Sequence, residues 1–300
     1  MKVGIIGAGS IGLLFASYIS KVFEVTIYTR TTEQADEINQ NGILLRKGGE
    51  ERIALVRAMP MTTWEGSEEL TIIAVKQYQL PAIIEKLGQV TVVLENMLFL
   101  QNGMGHLKLL EDIRVNNLIL GSVEHGALRE NSYTVSHNGE GVTNAAVFRG
   151  ETAPFQQFIA VMPSEFPFVF QENYHEMLVK KLIVNAVINP LTAILQVKNG
   201  KLIENQFYFH AVKKLFTEIS FILDLKRPED ELMLVVDICK KTADNRSSML
   251  KDLEANRLTE VDAILGFLIE KAKKQDKKAP QIESLYYLIK GKEQVGGEDR

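Results

Sequence analysis

The sequence predicts an α/β domain built on a doubly wound parallel sheet, followed by an all-α domain. At the N-terminus, the apolar run KVGIIG precedes a glycine-rich turn and then a helical pattern of apolar residues. Strand-like and helical patterns alternate to about residue 125, which is typical of parallel strands joined by crossover helices. From Tyr174 onward helical patterns dominate. We therefore expect two domains of different architecture.

The length of the chain also favours two domains. A single hydrophobic core seldom serves a chain of 300 residues, because cores stop growing at about this size. We place the boundary close to the start of the helical region. This predicts one domain at residues 1–170 and a second at residues 171–300.

Composition argues against several classes of function. The net charge of −4 disfavours a nucleic-acid partner, since phosphate binding normally needs a basic surface. We expect no membrane span, because beyond the glycine-broken N-terminus no segment offers about 18 apolar residues without charge. Cys239 is the only cysteine, so an intrachain disulfide is impossible and a reducing, cytoplasmic location is expected.

Apolar periodicity predicts the individual elements. In the first domain we predict strands at 2–7, 25–29, 70–75, 97–101 and 118–122, with helices at 10–20, 33–39 and 81–87. Two hairpins are predicted, one turning at Gly48–Gly49 and one in YTVSHNGEGVTNAAVF, residues 133–148. In the second domain we predict helices at 175–199, 201–224, 229–243, 247–254 and 260–275. The final residues, VGGEDR, are predicted to form a loose tail.

The glycine-rich turn predicts dinucleotide binding. Its residues are Gly7, Ala8, Gly9, Ser10, Ile11 and Gly12, a GxGxxG pattern between a predicted strand and a predicted helix. The first glycine permits the tight turn, and the second lets a pyrophosphate approach the backbone. The third lets the helix pack closely on the strand. The helix N-terminus then offers free amides to the anion, so we expect a Rossmann-type domain.

The end of the second predicted strand favours NADP(H) over NAD(H). An NAD site usually places a carboxylate here for the ribose 2′-hydroxyl, whereas this chain has Arg30 among threonines. An arginine with neighbouring hydroxyls suits a 2′-phosphate; a solvated surface arginine is the alternative. Lys76 and Asn102 follow later strands at their carboxyl ends, where open α/β sheets bind ligands. Either could instead be a simple loop residue.

A column of polar residues interrupts the first long helix of the second domain. Four residues advance an α-helix by about 400°, so Lys181, Asn185 and Asn189 share one face. Buried polar groups need partners, which can be protein atoms or a polar small molecule. Pro190 lacks an amide proton, so a kink beside Asn189 is expected.

Two further polar segments favour helix capping on their residues alone. Either serine of the NRSSML segment can cap a helix. In RLTEVD, Thr259 is a predicted cap, with Asp262 completing a capping box and Glu260 in the first turn. We find neither the spacing of a metal site nor that of a catalytic triad.

Taken together, these segments resemble the ketopantoate reductase (2-dehydropantoate 2-reductase) family. The glycine-rich turn alone is shared with many enzymes, but the lysine–asparagine helix followed by SSM and TEVD is specific. The matches occur in family order over about the whole chain. They are GAGSIG at 7–12, LQNGMG at 100–105, KLIVNAVINPLTA to NG at 181–200, NRSSML at 245–250 and RLTEVD at 257–262.

The resemblance implies NADPH-dependent reduction of 2-dehydropantoate to (R)-pantoate, a step toward pantothenate and coenzyme A. It implies a Rossmann domain, a helical domain and an active site in the cleft between them. Lys181 matches the proton donor and Glu260 its partner acid. The other matched positions are Asn102, Asn185, Asn189, Asn199 and Ser248 for the substrate, and the turn at 7–12, Arg30, Lys76, Asn102, Gly126 and Glu260 for the cofactor.

Two alternatives stay open at this point. Polar pocket residues do not determine the acyl group, so a reductase of another 2-keto acid is possible. A non-catalytic NADP(H) sensor is the other alternative, although a sensor has little reason to keep both Lys181 and Glu260. We expect a monomer or homodimer acting on a small-molecule 2-keto acid.

Overall fold

The computed structural model describes residues 1–295, which divide into two compact units. The first unit comprises Met1–Gln101 and Leu109–Met177, and the second comprises Asn102–Lys108 and the chain from Leu178 onward. The predicted boundary at residue 170 precedes the observed division after Met177, and residues 102–108, which were predicted to lie in the first domain, belong to the second unit. Of the predicted tail, residues 296–300 lie outside the described residues.

Twelve strands are assigned among the described residues, and all of them belong to the first unit. They are β1 (Lys2–Ile6), β2 (Glu24–Thr29), β3 (Ile43–Lys47), β4 (Glu50–Ala54), β5 (Arg57–Pro60), β6 (Leu70–Ile73), β7 (Leu94–Phe99), β8 (Val115–Val123), β9 (Gly126–Arg129), β10 (Thr134–Gly139), β11 (Thr143–Arg149) and β12 (Phe168–Phe170).

The helices follow the predicted change from mixed to helical structure. They are α1 (Ser10–Ile19), α2 (Thr32–Asn41), α3 (Leu80–Gly88), α4 (Leu107–Leu110), α5 (Ala153–Ala160), α6 (Tyr174–Leu195), α7 (Lys201–Glu204), α8 (Gln206–Leu223), α9 (Pro228–Lys241), α10 (Ser248–Glu254), α11 (Phe267–Lys274) and α12 (Pro280–Val295). A π-helical turn at Asp262–Gly266 precedes α11.

The main sheet of the first unit has eight strands in the order β12-β11-β8-β7-β6-β1-β2-β5. Neighbouring strands are parallel except for β11, which runs antiparallel to β8. Ile5 and Ile6 of β1, whose side chains point to opposite faces of the sheet, are 0% and 1% exposed, as expected of a central strand covered on both faces. The predicted α/β fold class, with a helical region after it, is confirmed.

A second sheet has the order β4-β3-β10-β9. Its β3–β4 hairpin turns at Gly48–Gly49 as predicted, and both glycines have positive φ, 57° and 88°. Such angles are typical of the tight turns that join antiparallel strands.

The hairpin predicted at residues 133–148 is wrong. Its first strand, β10, pairs with β3 and β9, while its second, β11, pairs with β8 in the main sheet. Apolar alternation predicts strands but not their partners. The connection passes close to the chain after β8, because a Cβ on Gly141 would lie 2.6 Å from the Glu124 carbonyl oxygen. Glycine there lets the chain cross between the two sheets.

The helical unit is built around α6, which continues through Pro190 to Leu195. Among the described residues, α6 is the one helix long and apolar enough to cross a membrane, but 72% of its apolar window is buried inside the protein. Burial of this kind is equally typical of a core helix. The predicted helix 201–224 is divided at Asn205, whose side chain accepts from the amides of Phe207 and Tyr208 and so caps α8. Helix α12 was not predicted.

Candidate functional site

The glycine-rich turn joins β1 to α1 in the first unit. Gly7 has φ of 108°, and its amide donates to the Tyr28 carbonyl oxygen at 2.9 Å, so the turn is tied to β2. A Cβ on Gly12 would overlap the Gly7 carbonyl oxygen, far closer than the 3.0 Å that real Cβ contacts respect. The first and third glycines are therefore required by conformation and by close packing, as the sequence predicted.

The surroundings of the middle glycine, Gly9, are different. A Cβ on Gly9 would meet no atom within 4 Å, so the space beside its backbone is open. Gly9 is the N-cap of α1, no side chain caps this end, and the first turn of the helix carries no acid. The unshielded amides and the positive end of the helix dipole therefore suit an anion. These features fit the pyrophosphate of a dinucleotide.

Arg30 lies in the bend directly after β2 and is exposed. The hydroxyls of the two threonines beside it, Thr29 and Thr31, make hydrogen bonds within the protein. The Thr29 hydroxyl is buried and donates to the Thr31 carbonyl oxygen at 2.7 Å, and the Thr31 hydroxyl accepts from the Gln34 amide at 3.3 Å, capping α2. The hydrogen bond to Thr31 uses its hydroxyl only as an acceptor, so the exposed guanidinium and the Thr31 O–H can both contact an anion.

Lys76 and Gly126 are the other first-unit residues that the resemblance selected. Lys76 is half-buried before a short 3₁₀ turn, and its amide donates to Gln79 Oε1 at 3.1 Å. Gly126 begins β9, where a Cβ would lie 3.1 Å from the Gly139 amide nitrogen. Lys76 is therefore placed by a turn, and Gly126 by the pairing of β9 with β10.

In the second unit, the polar column of α6 is at least half-buried. Lys181 is partly exposed, whereas Asn185 and Asn189 are only 9% and 7% exposed. The Asn189 side-chain amide donates to Ser248 Oγ at 3.4 Å, so α6 and the start of α10 meet at these two residues. Neutral amide and hydroxyl groups of this kind offer both donors and acceptors to a polar ligand.

The structure decides which serine caps α10. Ser247 Oγ accepts from the Leu250 amide at 3.1 Å, and it lies 2.8 Å from the hydroxyl of Thr192 on α6. Thr192 is fully buried and its hydroxyl also lies 2.7 Å from the Ile188 carbonyl oxygen. Ser247 is therefore the structural cap, while the Ser248 side chain remains exposed. No sequence motif predicted this contact of Thr192, although Thr192 lies three residues after Asn189 on the same helix.

Asn102 and Glu260 form the closest pair among the predicted site residues. The Asn102 side-chain amide donates to Glu260 Oε2 at 2.9 Å, and Glu260 is buried. The loop that carries Asn102 turns at Gly103, which has φ of 75° and packs against the Ala263 carbonyl oxygen in the π-helical turn. Glycine is needed there because a side chain would overlap that carbonyl.

The predicted capping box near Glu260 is only partly present. The Thr259 hydroxyl accepts from the Val261 amide at 3.1 Å and donates to Glu293 Oε1 at 2.7 Å. Asp262 does not complete the box, because its carboxylate accepts from the Tyr286 hydroxyl at 2.6 Å and from Lys290 Nζ at 3.1 Å. Packing against α12, which was not predicted, redirects the carboxylate.

His106 also belongs to this site, although no sequence motif predicted it. It lies in the Asn102 loop, is 1% exposed, and its Nδ1 has no hydrogen-bond partner among the described residues. Burial lowers the pKa of His106 to about 4, against the charge of Glu260, which raises it. The imidazole is therefore neutral at physiological pH and does not cancel the charge of Glu260. The available signal was its position directly after LQNGMG.

Asn199 lies after the end of α6 and is held by the protein itself. Its amide donates to the Asn245 carbonyl oxygen at 3.0 Å, and its side chain donates to Thr242 Oγ1 at 2.9 Å. Its Oδ1 is buried without a hydrogen-bond partner in the described part of the chain.

The described residues also contain no group of three or more potential metal ligands.

Comparisons with known proteins give matches over nearly the whole chain. The family model described as ketopantoate reductase PanE/ApbA matches residues 3–150, and the model of its C-terminal domain matches residues 173–293. The chain is 43% identical to a 2-dehydropantoate 2-reductase of Bacillus subtilis (strain 168), over 98% of both chains.

Two solved structures illustrate the likeness of the fold. The crystal structure of a probable 2-dehydropantoate 2-reductase from Bacillus subtilis is 41% identical, with a TM-score of 0.89, over 97% of this chain and 100% of that chain. A ternary structure of D-mandelate dehydrogenase with NADH and anilino(oxo)acetate also has a TM-score of 0.89, over 99% of both chains. At 24% identity, the second structure shows the fold alone.

The fold and the glycine-rich turn, together with these relatives, define an oxidoreductase that uses a nicotinamide cofactor. Its class acts on a small-molecule keto acid. The chain belongs to the ketopantoate reductase family, and the resemblance found from its motifs is confirmed.

Proposed function

We propose that this chain reduces 2-dehydropantoate to (R)-pantoate with NADPH, as a step toward pantothenate and coenzyme A. The observation that carries the proposal is the polar set of the second unit. It places Asn189 against Ser248 at 3.4 Å and Asn102 against Glu260 at 2.9 Å, at positions that match the family motifs. In this proposal the enzyme is cytoplasmic, a monomer or homodimer, and needs neither nucleic acid nor membrane.

The proposed chemistry is hydride transfer to the 2-keto carbon with protonation of its oxygen. NADPH, when bound, supplies the hydride. Negative charge then develops on the keto oxygen, and the ammonium of Lys181 both stabilises that charge and donates a proton to it. We assign Glu260 as the partner acid, held in one orientation by the Asn102 side-chain amide. Because His106 is neutral, it leaves the carboxylate charge available to Lys181.

Substrate recognition is assigned to Asn185, Asn189 and Ser248, with Asn102 and Asn199 as further candidates. The side chains of Asn189 and Ser248 are neutral, so they can pair with the distal hydroxyl of 2-dehydropantoate without adding charge. A site built to bind a substrate hydroxyl rejects an analogue that lacks it, because its own polar groups are left unpaired. The assignment therefore predicts discrimination against 2-oxoisovalerate, which lacks that hydroxyl.

The function is tested by the loss of NADPH absorbance with 2-dehydropantoate, with pyruvate and 2-oxoisovalerate as parallel substrates. We expect a kcat/KM for 2-dehydropantoate at least about 10²-fold above that for 2-oxoisovalerate. A higher kcat/KM for one of the other acids would identify a reductase of a different 2-keto acid. NADPH binding without turnover of any of the three would favour the sensor.

Cofactor choice is assigned to Arg30. Replacing it with alanine removes a charged partner of the 2′-phosphate, and such hydrogen bonds contribute about 1.5–3 kcal/mol. We expect the NADPH-over-NADH ratio of kcat/KM to fall by about tenfold or more in the Arg30→Ala variant. The matched control is Arg57→Ala, an exposed arginine at the start of β5, opposite Thr26 and away from the carboxyl end of β2. An unchanged ratio in the Arg30 variant would show this arginine to be a solvated surface residue.

A further inference from the structure

We propose that Arg129 binds a phosphate group of the cofactor at the glycine-rich turn. The inference rests on the proposed use of NADP(H) and assigns a second cationic residue to it. Arg129 ends β9, a strand of the second sheet and not of the main sheet that carries the turn. The position was not selected by any motif in the sequence.

Arg129 contacts the turn through both its main chain and its side chain. Its amide donates to Ser10 Oγ at 3.1 Å, and its guanidinium Nη1 donates to the Ala8 carbonyl oxygen at 3.4 Å. Ala8 and Ser10 flank Gly9, the residue with open space beside its backbone. The guanidinium is thus placed next to the position where the sequence pattern predicts the pyrophosphate.

A second contact brings the start of α2 to the same turn. Gln34 Nε2 donates to the Ala8 carbonyl oxygen at 3.0 Å and to the Ser132 carbonyl oxygen at 2.9 Å. Gln34 lies in the first turn of α2, directly after the bend that carries Arg30. The Gln34 side-chain amide therefore joins the turn to the segment after Arg129, and the Ala8 carbonyl oxygen accepts from both Gln34 and Arg129.

Arg129 pairs with no carboxylate among the described residues. The adjacent Glu130 is paired with Arg46 instead and accepts from Ser136. Arg129 is exposed, and the hydrogen bond from its guanidinium to the Ala8 carbonyl oxygen is long and therefore weak. A guanidinium has five N–H donors in a fork that matches phosphate, so most of its donors remain for a ligand. An anion beside Gly9 would be the natural partner of this cation.

If Arg129 has a purely structural role, a different result is expected. If Arg129 only clamps the turn through the Ala8 carbonyl oxygen, glutamine can replace that hydrogen bond without a charge. If Arg129 binds phosphate, lysine keeps part of the function and glutamine does not. The two roles are therefore separated by comparing Arg129→Lys with Arg129→Gln.

The experiment measures the Kd of NADPH and of NADH by titration without keto acid, at low and high ionic strength. The variants are Arg129→Ala, Arg129→Gln and Arg129→Lys. Arg114→Ala is the charge-matched control, an exposed arginine before β8 with no assigned ligand role. We expect Arg129→Ala and Arg129→Gln to raise the Kd of NADPH about tenfold or more and to reduce its salt dependence, with Arg129→Lys raising it less.

The cofactor pair shows which phosphate is bound. An equal loss for NADPH and NADH assigns Arg129 to the pyrophosphate, and a loss for NADPH alone assigns it to the 2′-phosphate; both support the proposal. An unchanged Kd in Arg129→Ala, or full affinity in Arg129→Gln, would overturn the role of Arg129 while the proposed function stands. Failure of the unaltered protein to bind either cofactor would overturn the proposed function, and this assignment with it.

Discussion

Replacing Lys181 with alanine is expected to lower kcat by about 10²–10⁴, the range that general acid catalysis usually contributes. The ammonium is assigned two tasks, stabilising the developing oxyanion and donating its proton, and alanine removes both. The Kd of NADPH should change little, because the cofactor is assigned mainly to residues of the first unit. Steady-state kcat with 2-dehydropantoate and an independent NADPH titration measure the two effects separately.

Lys180→Ala provides the matched control for this variant. Lys180 is the adjacent lysine on α6 and is exposed, so its removal changes the same charge without touching the polar column. We expect its kcat to remain close to that of the unaltered protein. A Lys181→Ala variant with near-normal kcat would remove Lys181 from the role of proton donor.

Replacing Gly12 with alanine is expected to destabilise the first unit by about 3 kcal/mol or more, at the upper end of typical overpacking costs. The added Cβ would overlap the Gly7 carbonyl oxygen, which is backbone and cannot move aside as a side chain could. Because α1 would have to shift away from the turn, cofactor binding should be lost as well. Thermal unfolding without ligand, together with the Kd of NADPH, measures both consequences.

Two other glycines make this prediction specific. Gly291 lies in α12 with no atom within 4 Å of an added Cβ, so Gly291→Ala should leave stability unchanged or slightly higher. Space around Gly9 is similarly open, so Gly9→Ala should fold normally but weaken NADPH binding about tenfold or more, if a pyrophosphate occupies that space.

Normal stability of Gly12→Ala would show that α1 can shift away from the Gly7 carbonyl oxygen without cost, and would contradict the prediction.

The residues that were correctly predicted are those whose geometry depends on near neighbours in the chain. The Gly7-to-Gly12 turn follows from positive φ and a close approach within six residues. The β3–β4 hairpin follows in the same way from its pair of glycines. The common face of Lys181, Asn185 and Asn189 follows from the helical repeat. In each case the spacing along the chain is enough to calculate the arrangement in space.

The wrong and missing predictions concern partners that lie far apart in the sequence. The second predicted hairpin is wrong because β10 pairs with β3 in the second sheet, whereas β11 pairs with β8 in the main sheet. Asp262 does not form its predicted capping box, because its carboxylate accepts hydrogen bonds from Tyr286 and Lys290 on α12, a helix that was not predicted. Local patterns could not show these alternatives, since they arise only when distant segments pack together.

From residue types alone, the fold class, the conformation of the glycine-rich turn and the family to which the chain belongs could be predicted. Each of these is encoded in residue types at short, regular spacings. Tertiary structure alone decided that Ser247 is the cap and Ser248 the exposed hydroxyl, and that Asn102 holds Glu260 from 158 residues away along the chain. The physical reason is that burial and hydrogen bonding between distant segments depend on how whole helices and sheets pack, and no local pattern contains that information.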